Sequence, residues 1–129
     1  CYDKAIELDP KYAYAWNNKG NLFNYLGKHE EALECFEKAL ELDPKYIRAW
    51  NNKGIALDGL QKYEESIKCY DKVIEIDPKY VEAWYFQGIA FLALARPEEA
   101  IKCLEKVTEL DPKDEGAKKI IKKIQDVKK

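Results

Sequence analysis

The apolar and polar positions of this chain fall into a helical rhythm that then repeats. At ~100° per residue, Ala15, Trp16, Lys19, Gly20, Leu22, Phe23 and Leu26 share one side of a helix beginning near Ala13. Tyr14, Asn17, Asn18, Asn21, Asn24 and Tyr25 share the other. The first set predicts a packing face, with Gly20 allowing close helix approach and Trp16 filling the space between helices. A second helix is predicted from about His29 to Leu42, with Ala32, Leu33, Phe36, Ala39 and Leu40 as its inward stripe and Cys35 at the edge. The same two-helix pattern starts again at Ile47 and at Val81. No segment alternates as a strand would, so no sheet is expected.

The punctuation keeps the same beat. Cysteines stand at 1, 35, 69 and 103, each 34 residues from the last, and Pro10, Pro44, Pro78 and Pro112 share the period. Short breaks separate the two helices of each unit at Gly27-Lys28, Gln61-Lys62 and Arg96-Pro97. Acidic pairs, Glu30-Glu31, Glu64-Glu65 and Glu98-Glu99, open each second helix, where negative charge meets the positive end of the helix dipole. Each second helix stops before Asp-Pro, because proline cannot continue the hydrogen-bond ladder. A fixed period of this length predicts stacked units that bury their apolar faces against one another.

Trp16-x₂-Lys19-Gly20-x₂-Phe23, then Ala32-x₃-Phe36, then Pro44, resembles the tetratricopeptide repeat. Trp50, Gly54, Leu57, Ser66, Tyr70 and Pro78 carry the pattern in the second unit, and Trp84, Gly88, Phe91, Ala100, Leu104 and Pro112 in the third. One departure is the usual leucine before the glycine, which is Lys19, Lys53 and Gln87 here; a long polar side chain can lay its stem on apolar neighbours and keep its head in water. The resemblance implies an all-α, right-handed αα-hairpin solenoid. Full repeats are expected at 13–46, 47–80 and 81–114. Residues 1–12 read as the end of a preceding repeat, half of a second helix, and 115–129 as a C-terminal capping helix. In that cap Ala117, Ile120, Ile121, Ile124 and Val127 recur at helical spacing, with Lys118, Lys119, Lys122 and Lys123 opposite. Cys1 falls in mid-repeat, so the chain reads as part of something longer.

Composition narrows the function classes. Net charge is −2, from 22 basic and 24 acidic residues, so nothing implies electrostatic capture of nucleic acid; the lysines of the last helix read as a solvated cap face. No apolar run approaches the ~20 residues that span a bilayer. Equivalent cysteines on successive helices are too far apart for a disulfide and are not clustered for zinc, so each is expected to be a half-buried small apolar residue. Reduced thiols point to the cytoplasm. His29 is the only histidine and its equivalents are Tyr63 and Pro97, which suits a packing or turn role; no catalytic constellation, cofactor or metal site is expected.

Function is expected on the first helices, which by the resemblance line a concave groove. The candidate peptide-binding residues are Tyr14, Asn17, Asn18, Asn21 and Asn24, then Arg48, Asn51, Asn52, Ile55 and Asp58, then Glu82, Tyr85, Phe86, Ile89 and Leu92. One end is rich in asparagine, whose amide can bond an extended backbone from both sides. The other is apolar and needs cover, part of it from the cap helix. Family members that hold chaperone C-termini use a two-carboxylate clamp of Lys, Asn, Asn, Lys and Arg. Asn21 and Asn52 match its asparagines, while Asn17, Glu82 and Phe86 stand where the cations would be, so no such clamp is expected. The leading expectation is a scaffold that binds a peptide or protein segment. Two alternatives are a fragment that stacks head to tail with its own copies, motivated by Tyr2, Ala5, Ile6 and Leu8, and a targeting arm of a larger enzyme.

Overall fold

The computed structural model describes residues 13–128. It contains seven helices and, among the described residues, no strand. They are α1 (Ala13–Tyr25), α2 (His29–Leu42), α3 (Ile47–Gly59), α4 (Tyr63–Ile76), α5 (Val81–Ala93), α6 (Pro97–Leu110) and α7 (Glu115–Lys128). α1, α3 and α5 each pair with the following helix to make a hairpin, each hairpin packs on the one before it, and α7 packs on α6. The expected stripe Tyr2, Ala5, Ile6 and Leu8 lies outside the described residues.

Two kinds of turn hold the order. Within a hairpin, Lys28 N–H donates to the Phe23 carbonyl at 2.8 Å and Gly27 N–H to Asn24 at 3.0 Å, the paired bonds of a Schellman end. This places residue 27 in the left-handed region (φ 78°), and Gln61 (62°) and Ala95 (59°) adopt the same conformation despite their side chains. Between hairpins, each Asp-Pro-Lys folds back on itself. Asp43, Asp77 and Asp111 accept from the backbone N–H of Lys45, Lys79 and Lys113. The next helix ties the turn down: the Trp50 and Trp84 indole N–H groups donate to the Pro44 and Pro78 carbonyls, both at 2.8 Å. Lys118 stands at the tryptophan register of α7, and its Nζ takes the Pro112 carbonyl at 2.7 Å, so the lock survives without the ring.

The glycines mark where helices of one hairpin meet. A Cβ on Gly20 would stand 2.5 Å from the Phe36 ring, and one on Gly54 2.5 Å from the Tyr70 ring. At Gly88 the neighbour is Leu104, 3.1 Å away. Phe36, Tyr70 and Leu104 are fully buried and form the centre of each hairpin. Between hairpins, Ala56 packs with Ala32 and Phe36, and Ala83 with Tyr70 and Val73. Ala117 of α7 packs with Leu104 and Val107.

Four expectations need correction. Leu22 and Leu26, assigned to the packing face of α1, are 58% and 56% exposed. Ala56, the counterpart of Leu22, is covered by α2, a second helix of the preceding hairpin, and no described second helix precedes α1. Val127 is 86% exposed, because the last turn of α7 runs past the helices that support Ile120 and Ile121. Cys35, Cys69 and Cys103 are buried rather than half-buried, since small side chains at this register sit inside the hairpin; burial pushes the Cys69 and Cys103 thiols up to about 11. Lys19 and Lys53 do lay their ammonium groups over Trp16 and Trp50, at 5.1 and 5.4 Å from the ring centres. Gln87 instead is buried, donating to the Ile67 carbonyl and the Asp71 carboxylate and accepting from the Cys103 thiol.

Gly54→Ala forces the buried Tyr70 ring to move and is expected to destabilise the array by about 2 kcal/mol. Gly88→Ala needs only a small shift of Leu104, and the better helix propensity of alanine should hold its net effect within about 1 kcal/mol. Chemical denaturation of the two variants checks the contrast.

Candidate functional site

Successive first helices, α1, α3 and α5, touch one another, so their open sides join into one surface. The register fixes what each offers. Tyr14, Asn18, Asn21 and Tyr25 form an exposed stripe on α1. It continues through Arg48, Asn52, Ile55 and Gly59 on α3, and Glu82, Phe86, Ile89 and Ala93 on α5; Ile55, Phe86 and Ile89 are half-buried.

The remaining asparagines do something else. Asn17 and Asn51, both expected to face a ligand, are only 2% exposed, because their register points toward the next first helix rather than outward. Asn17 Oδ1 accepts from Asn52 Nδ2 at 3.0 Å, and Asn24 Nδ2 reaches the Asn52 carbonyl at 3.4 Å. Asn24 Oδ1 also lies 3.0 Å from His29 Nδ1. These side chains form a polar seam between α1 and α3. At the next junction the partner of Asn51, thirty-four residues beyond Asn52, is Phe86, which has no side-chain donor. Asn51 Oδ1 is accordingly buried without a hydrogen bond. Phe86 stacks on Tyr70 (6.1 Å between centres) and meets Tyr85 edge-on (5.8 Å).

Asp58 follows Asn24 in register and is also drawn into packing. It accepts the Tyr70 hydroxyl at 2.7 Å, while its Oδ1 is buried and unbonded. Burial raises the Asp58 carboxyl above its usual range, and nearby hydroxyls of Ser66 and Tyr70 only partly offset it. Ser66 cannot serve Asp58 fully, because its single proton goes to the Tyr63 carbonyl at 2.8 Å. Burial first, and the Asp58 charge second, push Tyr70 up in turn.

An open cavity of about 490 Å³ lies at the apolar end of the stripe, lined by Ile55, Val81, Glu82, Tyr85, Phe86 and Asp114. Asp114 occupies the register of Tyr46 and Tyr80, so a carboxylate stands where the earlier junctions have a ring. Its Oδ1 accepts from Ala117 N–H and caps α7. On its other flank α5 joins α7 in one cluster, where Val81, Trp84 and Tyr85 and also Ile120, Ile121 and Ile124 pack against Leu104, Val107 and Ala117. Of the expected groove residues, the structure thus leaves Tyr14, Asn18, Asn21, Arg48 and Glu82 exposed, and Asn52, Ile55, Tyr85, Phe86, Ile89 and Leu92 half-buried. The seam was hidden in a sequence that shows which residues face away from the hairpin partner but not which of them meet the next hairpin. The substitution of Phe86 for an asparagine was its one visible trace. Among the described residues no three His, Cys, Asp or Glu side chains converge as metal ligands would. No helix among them is long and apolar enough to cross a membrane.

A stack of near-identical helical hairpins with its variation gathered on the first helices defines a class: an all-α solenoid of the kind that holds other proteins. The family model for the tetratricopeptide repeat matches residues 13–46, 47–80 and 81–114, and the chain belongs to that family. Its fold resembles the first tetratricopeptide domain of Spaghetti (RPAP3) bound to the HSP90 peptide SRMEEVD, with 29% identity, a TM-score of 0.88, and 92% of this chain and 94% of that one covered. It also resembles the second such domain of human RPAP3 in complex with the HSP70 peptide SGPTIEEVD, at 30% identity and TM-score 0.84, covering 89% and 96%. MamA, at 22% identity and TM-score 0.91 over 98% of this chain and 74% of that one, shares the fold. No curated protein matches the sequence significantly. Tetratricopeptide domains are protein–protein interaction modules, and the family is generally non-catalytic.

Asn17→Ala leaves the Asn52 amide without its acceptor and should cost about 1–2 kcal/mol, whereas Asn51→Leu removes an unpaired acceptor and should be neutral or stabilising. Thermal unfolding of both variants tests the difference. Asp58 has a raised pKa in the folded state, so its ionised form opposes folding above that value. Asp58→Asn is therefore expected to stabilise the chain at pH 7, by an amount that shrinks as pH falls toward the ordinary carboxylate value of 3.8. Denaturation curves at several pH values measure it.

Proposed function

We propose that the surface of α1, α3 and α5 is a groove that takes an extended segment of a partner protein, and that it does so without capturing a terminal carboxylate. The observation that carries this reading is the state of the three positions where a carboxylate clamp needs cations. Asn17 is buried and bonded to Asn52, so both are committed to the seam. Phe86 is engaged with Tyr70 and Tyr85. Glu82 is exposed and shares its cavity with Asp114, which puts two negative charges beside an apolar floor. Such a cavity suits an apolar or basic side chain and repels a carboxylate. Tyr14, Asn18, Asn21 and Arg48 supply the polar end of the same track. The relatives that hold chaperone peptides ending in EEVD support the segment-binding part of the reading, and the departures at the cation positions support a different ligand chemistry. The buried thiols fit a reducing compartment such as the cytoplasm.

A second reading rests on the leading flank of α1. Leu22 and Leu26 are exposed there, while Ala56 and Ala90 at the register of Leu22 are fully buried. A second copy stacking head to tail would cover that flank. A strict monomer by sedimentation at high concentration removes this reading.

Titration of labelled SRMEEVD by fluorescence polarisation is expected to give a Kd of about 1 mM or weaker, and a low-micromolar value (about 1–10 μM) overturns the proposal. The double change Glu82→Lys with Phe86→Arg restores two cations and should tighten that peptide by about tenfold.

A further inference from the structure

The charge along the first-helix stripe reverses between α3 and α5. The stripe opens with Arg48 on α3 and with Glu82, at the same register, on α5. The position that holds Tyr46 and Tyr80 at the earlier turns holds Asp114 after α6. Both carboxylates line the cavity of about 490 Å³, whose other walls are Ile55, Val81, Tyr85 and Phe86. Thirty-four residues earlier, the six corresponding positions are Asn21, Ile47, Arg48, Asn51, Asn52 and Tyr80, which hold no acid and one cation. The paired carboxylates over an apolar floor thus belong to the α5 end of the track and not to the junction before it.

Neither acid has a cationic partner. Glu82 is exposed, and among the described residues no ion pair engages it or Asp114. Asp114 gives one oxygen, Oδ1, to the Ala117 N–H. The surrounding cations are placed elsewhere. Lys118 is held by the Pro112 carbonyl at 2.7 Å and lies 3.9 Å from Glu115. Lys113, exposed in the turn before Asp114, does not line the cavity. Arg48 and Lys79 line an adjoining cavity with Asp77, Tyr80, Val81 and Glu82, so Val81 and Glu82 form the wall between the two. A basic residue of a bound segment is disfavoured on the Arg48 side of that wall and favoured on the Asp114 side.

We propose that this cavity seats a lysine or arginine side chain of the partner segment, its alkyl stem on the apolar floor and its charge between Glu82 and Asp114. This occupant depends on the groove reading above, because the residue must arrive on an extended chain lying along α3 and α5. A purely apolar side chain would fill the floor but strip water from two carboxylates without replacing it. A carboxylate would meet two like charges. A long basic side chain suits both halves of the cavity: its methylenes pack on Ile55 and Val81, its charge faces the acids, and the rings of Tyr85 and Phe86 attract a cation as well as a hydrocarbon.

The test uses the 129-residue chain with labelled methyl groups and the probe acetyl-Ser-Gln-Ala-Gln-Lys-Gln-Ala-Gln-Ser-amide, with arginine, norleucine and glutamate versions at the centre. The lysine and arginine peptides are expected to shift the Ile55 and Val81 methyls with a Kd of about 0.1–1 mM. Norleucine keeps the stem without the charge and should bind about tenfold more weakly, and glutamate more weakly still. Glu82→Gln and Asp114→Asn each remove one charge, and asparagine still caps α7. Each should weaken the lysine peptide about threefold and the pair about tenfold, with the norleucine peptide unchanged. If norleucine or glutamate binds as well as lysine, or the double variant holds lysine as tightly as the parent, the basic anchor is wrong while the groove reading stands. If no peptide moves a methyl on the stripe at about 2 mM, or the shifts fall on the second helices instead, the anchor and the groove fail together.

Discussion

Every hairpin depends on the close approach of two helices across a glycine. With hydrogen at that position, the ring of Phe36 or Tyr70, or the side chain of Leu104, lies flat against the backbone of the first helix. The contact sets the spacing within a hairpin and buries the largest side chains of the array. It also fixes the rotation of the first helix about its axis. Once Gly20, Gly54 or Gly88 faces inward, Tyr14, Arg48 or Glu82 must face out, and Asn17, Asn51 or Tyr85 must face the next hairpin.

The joints between hairpins are less uniform, and their differences follow from single substitutions at fixed registers. The first junction is polar along its inner edge, with Asn17, Asn24, His29 and Asn52 bonded to one another and to backbone. The second exchanges an asparagine for Phe86, gains ring stacking, and leaves Asn51 and Asp58 each with a buried oxygen unpaired. The third replaces a tryptophan by Lys118 and a ring by Pro97, keeping the carbonyl lock and losing part of its filling. One architecture thus tolerates three joint chemistries, because apolar contacts of small residues such as Ala56, Ala83 and Ala117 do most of the stacking and leave the edges free to vary.

Much of this was legible in the chain. The helix boundaries were, because Asp-Pro and the short breaks stop helices for steric reasons that need no tertiary context. The role of the glycines was legible too, since a 34-residue repeat leaves them one structural meaning. Side-chain direction within a helix followed from its periodicity. What escaped was the division of the outward face into an open stripe and a seam. Asn17 and Asn18 are adjacent, polar and alike on paper; 100° of rotation puts one against α3 and the other in water. The exposure of Leu22 and Val127 escaped for a related reason. A repeat pattern states what each position would meet inside an endless array, not what it meets at the first or last described helix.

The three buried thiols have a consequence of their own. Cys35, Cys69 and Cys103 occupy one register, one per second helix, and all are buried. Shielding from solvent makes each inert while its hairpin is closed, and burial lowers the thiolate fraction of Cys69 and Cys103 further. In a linear stack, fraying proceeds unit by unit rather than all at once. Each unit that opens would uncover a single sulfur, so alkylation followed by mass mapping would record, hairpin by hairpin, the order in which the stack comes apart.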